Sequence, residues 1–424
     1  MQQDLTGETA VRWAEPGAAH LPLLKEGGIT AVVAAPNAGF ERACAASGIR
    51  FISERHVRLL GINEAGKAQP GEIGLIKTGL WPGTRNPQAT VASATRGLWM
   101  DQNCYLVGYL RALYPGQPAV LAYLPDADAG VEPGRVIRYE SHELALVEAW
   151  VAGGNYVLAP DARYREGLLK GAQDALTAWR RLGKTAAWLR ANIALFRQPA
   201  LPIITVLVDR GNMSLEIANL CYRFNVSPAL VEAANLPAAD PRRRLVIAAA
   251  GIAAPQGEIR SRILAHAAAG ATVVADEPGE KAWWRVPGMK LLNSYPDRED
   301  YSSGKGRIVA YRKPVSDPGE FALDLIDYAT QKQRPARVFN SQGGLVLATS
   351  APATGSVTGT AALHVINYTQ PTEQQVLVRI QGNFTSATLL RPEAESVPLK
   401  SSPRGTASEV ALPGLGRVAT VVFR

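Results

Sequence analysis

Six acidic residues in the first 161 positions stand at the ends of short apolar runs. Glu15 follows Ala-Val-Arg-Trp-Ala, Glu54 follows Ile-Arg-Phe-Ile-Ser, and Asp101 follows Gly-Leu-Trp-Met. Asp126 closes Ala-Val-Leu-Ala-Tyr-Leu-Pro, Glu140 closes Arg-Val-Ile-Arg-Tyr, and Asp161 closes Asn-Tyr-Val-Leu-Ala-Pro. Carboxyl groups gathered in one site can divide the work of general acid, base and nucleophile, provided their surroundings push their pKa values apart. The alternative use is local: Asp and Glu open helices, where they accept a free N–H or meet the positive end of the dipole. Asp161, before a long helical stretch, and Asp126, in Pro-Asp-Ala-Asp-Ala-Gly, fit that local use. Asp101, Glu140, Glu54 and Glu15 stand evenly between the two. The leading catalytic pair is Asp101 with Glu140, the latter as nucleophile or base, with Glu54 and Glu15 in reserve.

The elements that must hold these acids alternate. Strand-like runs at 10–15, 29–36, 49–54, 72–79, 97–101, 119–126, 135–140 and 155–161 are interleaved with helical patterns at 18–26, 39–47, 103–114, 141–152 and from 162 to about 196. Strands alternating with helices pair in parallel through right-handed crossovers, and eight such units predict a (β/α)8 barrel, whose catalytic groups sit where strands end. About 190 residues is short for that fold, whose usual size is ~250. The connections 55–71, 80–96 and 127–134 are Gly-, Pro- and polar-rich rather than helical. The expectation is a compact, partly degenerate barrel over 1–200, with a doubly wound open sheet as its rival.

Beyond residue 200 the texture changes twice. Residues 201–333 alternate strand and helix again, in the manner of a flavodoxin-like α/β domain, without GxGxxG or GxxxxGK[ST]. Residues 334–424 read as short strands with turns every 8–12 residues, a small antiparallel β-sandwich. The net charge of +8 is scattered, and Arg242-Arg243-Arg244 and Trp179-Arg180-Arg181 carry no aromatic interleaving of a nucleic-acid type. No nucleic-acid partner is expected, and no apolar stretch approaches the ~20 residues of a membrane span. Three cysteines, widely spaced, form no disulfide framework or zinc knuckle. His142-Glu143 begins a helix without the second histidine of HExxH, so neither a metal nor a cofactor is implied. Gln2-Gln3-Asp4 matches a mature terminus left by signal cleavage with Met1 added, so an extracellular or periplasmic location is expected, with a cytoplasmic one as the alternative.

Taken in order, a barrel, an α/β unit without a nucleophile, and a β-sandwich resemble the three-domain β-galactosidases whose middle domain is a trimerisation module. The stretch from Leu245 to Gly279 carries the likeness to that amidotransferase-like module. Gly79-Leu80-Trp81-Pro82-Gly83, Trp99-Met100-Asp101-Gln102-Asn103 and Ala149-Trp150-Val151-Ala152-Gly153-Gly154 look like uncharacterised bacterial glycoside-hydrolase barrels. The resemblance implies cleavage of a glycosidic bond by two carboxyl groups, ~5–5.5 Å apart in retaining enzymes and ~6.5–9.5 Å in inverting ones. It also implies an oligo- or polysaccharide substrate and a homo-oligomer, trimer or dimer. The family's Asn-Glu acid/base at the end of strand 4 is missing, because that strand ends Lys77-Thr78. The only Asn-Glu pair, Asn63-Glu64, reads as a loop. Sugar rings stack on flat aromatics near polar groups, which makes Trp13, Trp81, Asn103, Tyr139 and Glu15 the substrate-binding candidates, Trp81 foremost. Two functions remain open: a glycoside hydrolase, or an inactive barrel kept for carbohydrate binding or assembly.

Overall fold

The computed structural model describes residues 5–78, 80–85, 99–123, 136–201, 204–224, 226–241, 245–276, 282–330, 336–341, 343–351 and 360–424. The first unit is a seven-stranded parallel sheet of β1 (Ala10–Arg12), β2 (Ala31–Ala34), β3 (Arg50–Ser53), β4 (Val57–Leu60), β5 (Ile73–Lys77), β8 (Val120–Ala122) and β9 (Asn155–Leu158). A separate two-stranded antiparallel sheet joins β6 (Gly83–Arg85) to β7 (Trp99–Asp101). The large sheet runs β3-β2-β1-β9-β8-β5-β4, so its two edge strands are consecutive in the chain. A three-residue turn, Glu54–His56, is all that joins them. The sheet therefore curls into a half-barrel.

Six of the eight expected runs supply strands of this sheet. The run at 97–101 pairs outside it, and the run at 135–140 gives no strand, because Glu140 is already the first residue of a helix. The seventh strand comes from Val57-Arg58-Leu59-Leu60, inside a stretch read as a connection. Its apolar signal is four residues long, interrupted by Arg58 and flanked by polar turns, too little for period-2 alternation to show.

Alternation along the strands sorts the two faces. Ala10, Ala31, Val33, Ile52, Ile73, Leu75, Val120, Ala122 and Val157 form one small cluster on the concave side. Val11, Val32, Ile76, Leu121, Tyr156 and Leu158 face the helices. These are α1 (Leu21–Glu26), α2 (Ala38–Ala46), α3 (Cys104–Leu113), α4 (Glu140–Val151), α5 (Ala162–Leu169), α6 (Gln173–Ala191) and α7 (Ile193–Phe196). Close backbone approach is built in where α6 crosses the end of α1: a Cβ on Gly183 would lie 2.3 Å from the Glu26 carbonyl oxygen. Helix α4 is buried on every side from His142 to Val151, the pattern of a helix enclosed by protein all round.

The second unit is a seven-stranded sheet of β10 (Ile204–Val208), β11 (Ala229–Glu232), β12 (Val246–Ala248), β13 (Thr272–Ala275), β14 (Leu291–Ser294), β15 (Arg298–Ser303) and β16 (Gly306–Tyr311). Its order is β11-β10-β12-β13-β16-β15-β14, parallel up to β16 and then antiparallel, so the first four strands follow flavodoxin order. Helices α8 (Asn212–Arg223), α9 (Gly257–Ala269) and α10 (Pro318–Thr330) cover it. The third unit stacks a four-stranded antiparallel sheet against a five-stranded one around Val365, Val378, Leu389, Val421 and Phe423. The units share cores. Leu345, Ile366 and Val422 of the sandwich join the cluster around α3, α4 and α6, and Tyr109 and Leu113 of α3 join that of the second sheet.

Candidate functional site

The polar centre of the molecule lies where these units meet: the segment Asp101-Gln102-Asn103 bonds the first and second units, and the sandwich joins through Glu148. All three residues are buried. Arg223, in the last turn of α8, places Nη2 3.8 Å from Asp101 Oδ1. Gln102 donates to Asn219 of the same helix at 3.0 Å, and Asn219 in turn accepts from Arg223 Nε at 3.1 Å. Asn103 stands at the N-cap position of α3 without a side-chain cap bond, and its amide turns the other way, toward α4.

Glu148, eight residues into α4, is fully buried, and its carboxylate is met by donors alone. Asn103 gives its backbone N–H to Oε2 at 2.9 Å and its amide Nδ2 to Oε1 at 2.7 Å. Tyr368, from the sandwich, donates its hydroxyl to Oε2 at 2.9 Å. The same Asn103 amide reaches Tyr123 Oη at 2.8 Å and the Leu80 carbonyl at 3.1 Å, so one side chain ties the ends of β5 and β8 to α3 and α4. Burial pushes the Glu148 carboxyl up to about 7; the Asn103 and Tyr368 hydrogen bonds pull it back, and the charge of Asp101 adds to the rise. Glu148 is therefore a group that exchanges its proton near neutrality. Cys104 Sγ lies 3.6 Å from Tyr368 Oη, with either atom able to donate.

Next to this network stands an aromatic stack. Trp81 lies on Tyr123 with ring centres 4.1 Å apart, and its edge meets His142 at 4.9 Å. His142 meets Tyr164, which stacks on Tyr139 at 4.4 Å. Burial, with Arg163 nearby, drops His142 to about 3, so it stays neutral.

The expected site residues are dispersed. Trp13, Trp81 and Asn103 are core residues, each 2 % exposed or less, and offer no face to a ligand in this arrangement. Tyr139 is half-buried between Tyr164 and the Arg163 guanidinium. Glu140 opens α4, and Glu54 is exposed on the turn between the edge strands. Glu15 follows β1 and pairs with Arg165 at 3.2 Å, while its other carboxyl oxygen is buried without a partner. Asp161 accepts from Tyr164 N at 2.7 Å as the N-cap of α5, the local use expected of it. Asp126 lies outside the described residues. The strand-end acids of the second unit also serve loops. Asp209 accepts from Gly211 N and Ala253 N, and Asp276 from Gly251 N and Val315 N.

Of the groups that hold the centre, Glu148, Tyr368 and Arg223 were not anticipated. Glu148 had a legible signal, as the lone charge in Leu144-Ala145-Leu146-Val147-Glu148-Ala149-Trp150-Val151. Tyr368 and Arg223 had none, because their role depends on packing between units. Among the described residues no group of three or more His, Cys, Asp or Glu is placed to hold a metal ion, and no helix is long and apolar enough to cross a membrane.

Comparison with solved structures adds the fold context. The α-L-fucosidase isoenzyme 2 from Paenibacillus thiaminolyticus superposes over the whole of both chains with a TM-score of 0.60 at 10% identity. The fold is glycoside-hydrolase-like. A β-galactosidase from Bacillus circulans sp. alkalophilus matches 93% of this chain at a TM-score of 0.52 and 12% identity. One from Rahnella sp. R3 matches 88% at 0.51 and 11%. The chain spans 63% and 65% of the length of these two β-galactosidases. No protein-family model and no curated protein matches the chain.

Proposed function

We propose that this glycoside-hydrolase-like chain is directed to carbohydrate but has given up hydrolysis, its barrel serving as a glycan-binding and assembly unit. The observation that carries this reading is the commitment of the two central acids. Asp101 is paired with Arg223, and Glu148 receives three hydrogen bonds from Asn103 and Tyr368, so both spend their charge on holding units together. Glu15, the half-exposed acid beside β1, is a strand-end group of the first unit within reach of a ligand, with Arg165 beside it. A glycosidic bond needs two carboxyl groups on opposite sides of it.

One observation favours the hydrolase reading. A carboxyl held at about 7 beside a second carboxylate is the division of labour that glycosidases use, which would make Glu148 the acid and Asp101 its partner. A panel of aryl glycosides and oligosaccharides, run with Asp101→Asn and Glu148→Gln, separates the two. Binding of a glycan without turnover supports the first reading. Turnover that falls ~10²-fold or more in either variant overturns it. We also propose export and a trimer or dimer formed through the second unit. Leu291 and Leu292, about half exposed on its outermost strand β14, support such a contact, and light scattering of the purified protein tests it.

A further inference from the structure

A cavity of about 260 Å³ opens where α3, the end of α4, the linker at 196–200, the second unit and the sandwich come together. Its walls mix apolar side chains, Phe196, Leu230 and Leu347 among them, with polar ones. Its charged lining residue is Arg111, on α3, beside the polar Gln198, Tyr222, Ser227 and Thr349. A guanidinium carries five N–H donors, and one of them, on Nη1, reaches the Ala152 carbonyl at 2.9 Å. Among the described residues no carboxylate pairs with Arg111. Burial lowers its pKa, and the positive charge of Arg197 lowers it further; Tyr222 is the group that acts in the other direction.

The chain leaves room for this cation. Gly153 has φ +87°, and a Cβ there would stand 2.3 Å from Arg111 Nη1, 2.8 Å from its Cζ and 3.1 Å from the Phe196 carbonyl oxygen. Gly153 thus meets two demands at once, a left-handed backbone and a seat for the guanidinium. One turn before Arg111 on α3, a Cβ on Gly108 would approach Tyr222 Oη to 3.4 Å. That hydroxyl has no hydrogen-bond partner among the described residues, and burial raises its pKa, so it keeps its proton and stays a donor. Among the described residues, a buried arginine without an acid and a phenol without a partner line one cavity, which describes a receptor for an anion.

We infer that this cavity binds a small ligand bearing an oxyanion, a carboxylate, sulfate or phosphate group on a body about the size of a monosaccharide, with Arg111 and Tyr222 donating to the anion. The site shares no residue with the Asp101–Glu148 network and does not depend on the function proposed above. Arg111 supplies charge-assisted hydrogen bonds, the stronger kind, and Tyr222 a neutral-donor one. The apolar wall takes the ring of the ligand.

Calorimetric titration of the full chain at low salt tests this, using glucuronate, glucose 6-phosphate, inorganic phosphate and sulfate, with glucose as the neutral control. At least one anionic probe is expected to bind while glucose does not. Arg111→Met should weaken that binding about tenfold or more, and Tyr222→Phe about three- to tenfold. Preference for glucuronate or glucose 6-phosphate over the bare anions places the sugar ring in the cavity; equal binding of all anions confines recognition to the charged group. Because Arg111 also ties α3 to the end of α4, Tyr222→Phe is the deciding variant if Arg111→Met melts early. Absence of binding by every probe at millimolar concentration, or binding unchanged in both variants, overturns the inference.

Discussion

Glu148→Gln isolates the charge at the centre of the molecule. The folded protein holds this carboxyl at about 7 against an ordinary value of 4.5. Each tenfold in proton affinity is worth about 1.4 kcal/mol, so the difference amounts to about 3 kcal/mol of stability. Its sign follows from proton uptake. Below about pH 4.5 both folded and unfolded chains are protonated here, and the stabilisation is complete. As pH rises from there to about 7 the unfolded chain releases its proton first, and stability falls; above about 7 the loss is complete. Glutamine cannot titrate, but its Nε2 must face one of the three donors now aimed at the carboxylate, a cost of about 1–3 kcal/mol that does not change with pH. Urea denaturation of both proteins at half-unit steps from pH 4.5 to 8 measures the difference. Wild type should lose about 3 kcal/mol relative to the variant across that interval, with other titrating groups cancelling in the comparison. A difference that stays flat with pH would refute the assignment of this proton to Glu148.

The other predictions concern the same junction and its surroundings. Tyr368→Phe removes a donor that favours the charged form, so the fall in stability should move to higher pH, visible in the same titration series. Arg223→Met leaves Asp101 buried beside a neutral neighbour and should cost about 3–5 kcal/mol in denaturation, largely recovered by adding Asp101→Asn. Gly183→Ala drives a methyl toward the Glu26 carbonyl and should separate α6 from the end of α1, read as a lower Tm and faster proteolysis there. Trp81→Ala should cost about 3–5 kcal/mol by emptying the stack on Tyr123; glycan affinity lost with stability unchanged would show that Trp81 contacts ligand instead.

Much of the architecture was legible because it rests on local periodicity. The helices at 39–47, 103–114 and 141–152 form within a residue or two of their patterns, and a half-barrel with separate antiparallel sheets agrees with the expected fold class. What failed to show was long-range. Glu140 ends a run with strand-like composition, yet the helical demand of the following His-Glu-Leu-Ala-Leu-Val captures it as a first-turn acid. Trp81 between glycines and a proline looked like a loop residue open to ligand, and only the stack with Tyr123 shows that it is core. Asp101 stands out in the sequence by its position at the end of a strand-like run. Its partner Arg223 is more than a hundred residues away, and no spacing rule joins them.

The hydrogen bond between Tyr368 and Glu148 spans 220 residues of sequence. Helix α4 leaves the ribosome early, with the surface it will bury still uncovered and Glu148 without the hydroxyl it will accept from. At about 5–20 residues per second the sandwich follows only after tens of seconds. Through that interval the nascent first unit presents an unfinished wall, and a truncation before residue 345 would make the exposure permanent. The core of the half-barrel is complete only when the last strand brings Val418 and Val422 to it.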